Sequence, residues 1–181
     1  MRRTFGPDNG ARLLPLMVAV PIVAMDRATK DAVVRAIGPD ADQHRIDLLG
    51  RWIGLEYAEN RGAAFGLFGA QSPILPLVAV AIVLAIGIAY ARQRRPSVVL
   101  GLVVGLAIGG AIGNLIDRVR LGYVVDFIAV GPWPNFNVAD SAVTLGVVGF
   151  VAWSLWTSRA ADHASQRGQT KASFGEGTRA R

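Results

Sequence analysis

"PSVVLGLVVGLAIGGAIGNLI", residues 96–116, decides the architecture. It holds no charged side chain. At ~1.5 Å of rise per helical residue, its length matches the hydrocarbon thickness of a bilayer. A helix in a soluble core rarely needs so much apolar sequence without a break. Gly101, Gly105, Gly109 and Gly113 recur every four residues and so share one helical face. Such a stripe lets helices pack closely in a membrane. The "GGAIG" within it follows no strand pattern, so it carries no nucleotide-loop signal.

Two more uncharged runs, 72–91 and 141–158, flank this one. The chain has 181 residues, 52% of them hydrophobic, only a little above a soluble average. Distribution therefore carries the argument, and three spans' worth of uninterrupted apolar sequence imply an α-helical integral membrane protein. The first apolar stretch, 13–25, is too short to span and contains Pro15 and Pro21. Behind Arg2, Arg3 and Arg12 it could be a cleaved signal peptide. No convincing small-x-small cleavage site follows, and the favoured reading continues the helix through "DRATKDAVV" to about Val34. Pro15 would then sit in the first turn, and Pro21 would kink the helix.

The expected organisation is one domain, 1–158, with spans at about 12–35, 72–91, 97–117 and 137–157. Between spans 1 and 2, "RIDLLGRWIGLEYAENRGAAFGLF" is too broken by glycine for a long helix and suggests short strands or a flap at the membrane surface. The tail, 159–181, is polar, basic and expected to be disordered. Arginine and lysine before span 1, between spans 2 and 3, and after span 4 place both termini in the cytoplasm. Arg118 and Arg120 break that rule on the outer side, which invites a specific task for at least one of them.

A pI near 10.7 does not indicate nucleic acid, because the basic residues flank apolar runs; anionic lipid headgroups explain them more simply. The chain has no cysteine, which removes disulfides and a thiol nucleophile. His44 and His163 lie far apart, with no metal-ligand spacing around them. Neither a metal nor a cofactor is expected.

Two aspartates stand out. Asp126 lies in "YVVDFI", and Asp140 opens the last span in "FNVADSAV". Each has a plain reading: a solvated loop residue for Asp126, and for Asp140 a capping-box partner of Asn137. As a pair they mean more. Two carboxylates ~4 Å apart repel by about 4 kcal/mol at an effective dielectric near 20, or roughly three pK units. They would share one proton, as in an aspartic protease, where the anionic member takes a proton from water and its partner polarises the scissile carbonyl.

Asp26 and Lys30, four residues apart, can pair on one helix face as a structural ion pair. Asn114 and Arg118 share that spacing, with Asp117 between them; Arg118 could neutralise Asp117 or hold a substrate backbone. Asn60, in "ENRGAAF", reads either as a turn residue or as part of a small-residue surface open to a substrate.

Five blocks in order, "DRATK", "NRGAAF", "GGAIGNLIDR", "GYVVDF" and "FNVAD", resemble the lipoprotein signal peptidase family, signal peptidase II. The resemblance runs from Asp26 to Asp140. It implies an aspartic endopeptidase of the bacterial cytoplasmic membrane, acting as a monomer among membrane lipids. Its substrates would be diacylglyceryl-modified prolipoproteins, cut before the lipid-modified cysteine, and globomycin would block it. Asp126 and Asp140 fall on the catalytic dyad, Asp26 and Lys30 on a polar pair in the first span, and Asn60, Asn114, Arg118 and Asn137 on positions lining the substrate site. The implied fold is a four-transmembrane-helix bundle with a small extracytoplasmic β-cradle at about 44–68 and a short surface helix in the span 3–4 connection. Two other readings stand beside it. One is a small proton- or ion-conducting transporter using Asp26, Lys30, Asp126 and Asp140. The other is a Ser–Lys peptidase pairing Lys30 with Ser72 or Ser141.

Overall fold

The computed structural model describes residues 8–62, 74–93 and 97–179. Its helices are α1 (Asp8–Ile37), α2 (Ile74–Ala91), α3 (Val98–Leu121) and α4 (Val138–Arg179). Its strands are β1 (Arg45–Leu49), β2 (Ile53–Asn60), β3 (Val124–Val130) and β4 (Trp133–Phe136).

The glycine stripe makes α3 the centre of the bundle. A Cβ at Gly105 would stand 2.6 Å from Val18 Cβ and 2.8 Å from the Pro15 carbonyl oxygen; one at Gly109 would stand 2.9 Å from Ala19 Cα. Only hydrogen fits there, so α1 lies directly against α3. Gly110 meets the Ala139 carbonyl and Val143 of α4 in the same manner. On the side toward α2, Leu100 and Val104 pack with Ile86 and Tyr90, and Phe150 and Trp153 of α4 close the cluster.

Outward, the helices expose Leu13, Leu16 and Met17 on α1, Leu84 on α2, Val99 and Val119 on α3, and Leu145 and Trp156 on α4. Water would penalise this surface, whereas lipid tails do not. Val98–Leu121 and Val138–Arg159 are long and apolar enough to cross a membrane.

Chain chemistry fixes the helix ends. Ser97 caps α3, its hydroxyl accepting from the Leu100 N–H at 3.1 Å, and Gly122 ends the helix at φ 80°. α1 starts at Asp8, so Pro15 lies well inside the helix rather than in its first turn, and the helix is continuous through both prolines. Pro15 is buried where α1 crosses Gly105, so packing against α3 compensates for the missing donor.

The strands form one antiparallel sheet in the order β1-β2-β3-β4. This corrects two expectations. The sheet is not confined to 44–68, of which residues 63–68 lie outside the described residues; half of it comes from 124–136. The span 3–4 connection is β3 and β4, not a surface helix. "VVDFIAV" is rich in β-branched and aromatic residues, is bracketed by the positive-φ glycines Gly122 and Gly131, and finds a ready partner in β2. α4 runs as one helix from Val138 to Arg179.

β2 carries an extra residue against β3: Leu55 pairs with Ile128, yet Ala58 pairs with Asp126. Residues five apart on a regular strand point to opposite faces. The bulge brings Leu55 and Asn60 onto one face, shared with Ile128 and Asp126. Asn60 is thereby aimed at Asp126.

Candidate active site

Asp126 sits in the middle of β3 and is 2% exposed. Its Oδ1 accepts from Asn137 Nδ2 at 2.7 Å, and its Oδ2 from Asn60 Nδ2 at 2.9 Å. Asp140 lies in the first turn of α4. Its Oδ1 accepts from Asn114 Nδ2 at 2.7 Å, and its Oδ2 from the Asn137 backbone N–H at 3.3 Å. The Asn137 side-chain oxygen accepts the Asp140 N–H at 2.8 Å. That is a reciprocal capping box. Asn137 thus caps α4 through Asp140, as the plain reading of Asp140 expects, and holds Asp126 with its amide, so the two aspartates share one partner.

Burial, reinforced by the negative charge of Asp140, pushes the Asp126 carboxyl up from 3.8 to about 7; Asn60, Asn137 and the charge of Lys30 pull the other way. Such a group changes charge near neutral pH, which suits it to hold or pass a proton.

Behind the two aspartates lies a buried ionic cluster. Lys30 Nζ is 2.8 Å from Asp26 Oδ2 and 2.8 Å from Asp117 Oδ2, and donates to Asn114 Oδ1 at 3.2 Å. Asp26, Lys30 and Asp117 are all 1% exposed or less. Arg27 pairs with the other oxygen of Asp117 and with Asp31. Burying three charges is tolerable only because each is matched. Asn114 joins the cluster to the pair: its oxygen accepts from Lys30 and from Asn137 Nδ2 at 3.1 Å, while its amide donates to Asp140.

The structure thus brings Asn60, Asn114, Asn137, Asp126 and Asp140 into one hydrogen-bonded set, with Asp26 and Lys30 directly behind. Arg118 is different. It makes no ion pair with Asp117, whose ion-pair partners are Lys30 and Arg27, although the Asp117 charge acts on it. Its guanidinium is half-buried, donates to the Asn114 carbonyl at 3.4 Å, and lies in the fields of Asp140 and Asp126. Among the described residues it forms no ion pair. A Ser–Lys pairing finds no support. Lys30 is occupied by Asp26, Asp117 and Asn114, and the Ser141 hydroxyl donates to the Asn137 carbonyl at 3.0 Å. Ser72 lies outside the described residues.

Asp117 and Arg27 are missed by the sequence argument as members of this cluster. One sign was available: Asp117 stands three residues after Asn114 and therefore shares its helix face. Asp117 also accepts the Val125 N–H at 3.2 Å, and Asp26 Oδ1 the Ala139 N–H at 3.0 Å. Only the tertiary fold shows those two bonds.

Residues 18–156 match the family model described as Signal peptidase (SPase) II. The lipoprotein signal peptidase of Syntrophotalea carbinolica is 40% identical over 148 residues, covering 78% of this chain and 89% of that one. That of Moorella thermoacetica is 36% identical over 140 residues, covering 77% and 91%. A solved bacterial membrane enzyme, determined by the in meso method, superposes with a TM-score of 0.66 at 27% identity, covering 80% of this chain and 88% of that one. With most of its length matched by the family model and by relatives well above 30% identity, the chain belongs to the signal peptidase II family.

Proposed function

We propose that this chain removes the signal peptide from prolipoproteins by cutting before a cysteine that already carries a diacylglyceryl group, with Asp126 and Asp140 as the catalytic pair. The observation that carries this reading is the shared grip of Asn137. One residue holds both carboxyl groups, and the buried one is poised near neutrality.

The pair carries one proton. Its anionic member takes a proton from a water molecule, whose oxygen attacks the carbonyl carbon preceding the cysteine. The protonated member donates to the carbonyl oxygen as negative charge develops there. The tetrahedral intermediate then collapses, and the departing cysteine nitrogen receives a proton from the pair. A signal peptide with a new carboxylate and a lipoprotein with a new amino terminus are released. Asn60 and Asn137 orient Asp126, Asn114 orients Asp140, and Arg118 meets the substrate backbone.

Family membership and the lipid-like outer surface support a membrane location. In this reading α1 to α4 all span the cytoplasmic membrane of a bacterium, both termini are cytoplasmic, and the sheet is an extracytoplasmic cradle. A diacylglyceryl substrate stays in the bilayer and enters sideways, and its acyl chains add about 0.8 kcal/mol per buried CH₂.

The test uses purified protein and two peptides of one signal sequence, with and without the diacylglyceryl group. Cleavage before the lipidated cysteine alone, blocked by globomycin, is expected. Equal cutting of the unlipidated peptide, or none of either, would overturn the proposal.

A further inference from the structure

We infer that Asp26, Lys30 and Asp117 form a single clamp that sets the spacing of Asp126 and Asp140 by holding the backbone just before each. The inference rests on the reading of those two residues as the catalytic pair.

Asp117 Oδ2 accepts the N–H of Val125, the residue immediately preceding Asp126. Asp26 Oδ1 accepts the N–H of Ala139, the residue immediately preceding Asp140. Two carboxylates from two different helices thus perform the same act on two different segments, β3 and the start of α4. Lys30 lies between them at 2.8 Å from each, and its third bond runs to Asn114, which holds Asp140. The arms are tied at one ammonium. Arg27 anchors the outer oxygen of Asp117, leaving the inner one for Lys30 and Val125.

Physical chemistry explains why charge is used here. The first N–H groups of a helix have no partner within it, and an anion at that end is favoured by the dipole. Asp26 provides this for α4 from outside the helix. A charged acceptor also makes a shorter, stronger bond to a backbone amide than a neutral one does. Pinning both N–H groups to one cluster fixes the two catalytic side chains without touching them. That leaves their oxygens to Asn60, Asn114, Asn137 and the substrate. Asp117 and Arg27 become positioning residues for the reaction, with Lys30 as the tie rather than a proton donor. Gly113 supports the same geometry: a Cβ there would stand 2.7 Å from Asp26 Oδ2 and 3.3 Å from Ala139 Cβ, so the arm toward α4 exists only beside glycine.

Two measurements on the full-length protein in detergent micelles test the clamp. The first is residue-specific amide hydrogen exchange. Asp117→Asn should speed exchange at Val125, Asp26→Asn at Ala139, and Lys30→Met at both, since removing the tie loosens both arms. The second is steady-state cleavage of the diacylglyceryl peptide. Each Asn variant should lower kcat by about 10–100-fold with KM within about threefold, as expected for a misplacement of order 1 Å. The Asp26→Asn/Asp117→Asn double variant should fall little below the worse single one, because one unit is broken once. Should Asp117→Asn fail to fold, Lys30→Met keeps both carboxylates and reports the same coupling. Losses that multiply, or Val125 and Ala139 amides that stay as protected in Lys30→Met as in the parent, would overturn the clamp. The exchange arm needs no turnover, so its outcome stands apart from whether the peptide is cut.

Discussion

Replacing Asn137 by serine separates helix capping from proton chemistry. Asn137 is fully buried, caps α4 through its side-chain oxygen, and donates through Nδ2 to Asp126, Asn114 and the Val125 carbonyl. Serine ranks with asparagine at a helix N-cap, so the cap survives at a cost of a few tenths of a kcal/mol. The amide donor to Asp126 does not survive. A hydrogen bond to a charged group contributes about 1.5–3 kcal/mol, which at 1.36 kcal/mol per unit corresponds to roughly 1–2 pK units. The sign is fixed: losing a donor disfavours the anion, so the Asp126 carboxyl climbs from about 7 toward roughly 8–9. On the proposed mechanism, the proton held by the pair leaves as pH rises through that value, which would place the alkaline limb of the cleavage profile. Purified parent and Asn137→Ser proteins, assayed for kcat/KM on the diacylglyceryl peptide across pH 5–10, should show the limb moving upward by about 1–2 units. A limb that stays in place or moves down in a folded variant would refute the reasoning. Asn137→Ala should show the same movement with a further loss of about 1 kcal/mol in stability, because it also removes the cap.

Two more outcomes follow from the same geometry. In the parent, the Asp126 carboxyl titrates near 3.8 when unfolded and near 7 when folded, so raising the pH through that window progressively disfavours the folded state. Asp126→Asn carries no such cost and should gain on the parent by up to about 4 kcal/mol between pH 4 and pH 8, read by unfolding in detergent micelles. Gly113→Ala places a methyl group 2.7 Å from Asp26 Oδ2, and forcing α1 and α3 apart should cost about 1–3 kcal/mol of stability and lower kcat.

The apolar runs and the four-residue glycine spacing made the helical packing legible, because both depend on local periodicity. Gly105 faces Pro15 and Val18 as a close-packing stripe requires. The pairing of Asp26 with Lys30 was legible for the same reason. The sheet was only half visible. Strands β2 and β3 are separated in the chain by α2 and α3, so nothing local joins 53–60 to 124–130. The bulge that aims Asn60 at Asp126 left no mark in the composition. One reading of the sequence has Arg118 neutralise Asp117, its sequence neighbour, yet adjacent helical residues point in different directions and no ion pair joins them among the described residues. The partners of Asp117 came from α1 and β3.

Single-turnover cleavage of the diacylglyceryl peptide by Asp126→Asn, Asp140→Asn and the double variant, each shown to be folded, tests the central claim most directly. If the two carboxyl groups work as one unit on a single water, all three proteins lose at least about 1,000-fold and the double variant is no worse than either single one. Either single variant cutting within about tenfold of the parent would contradict the account.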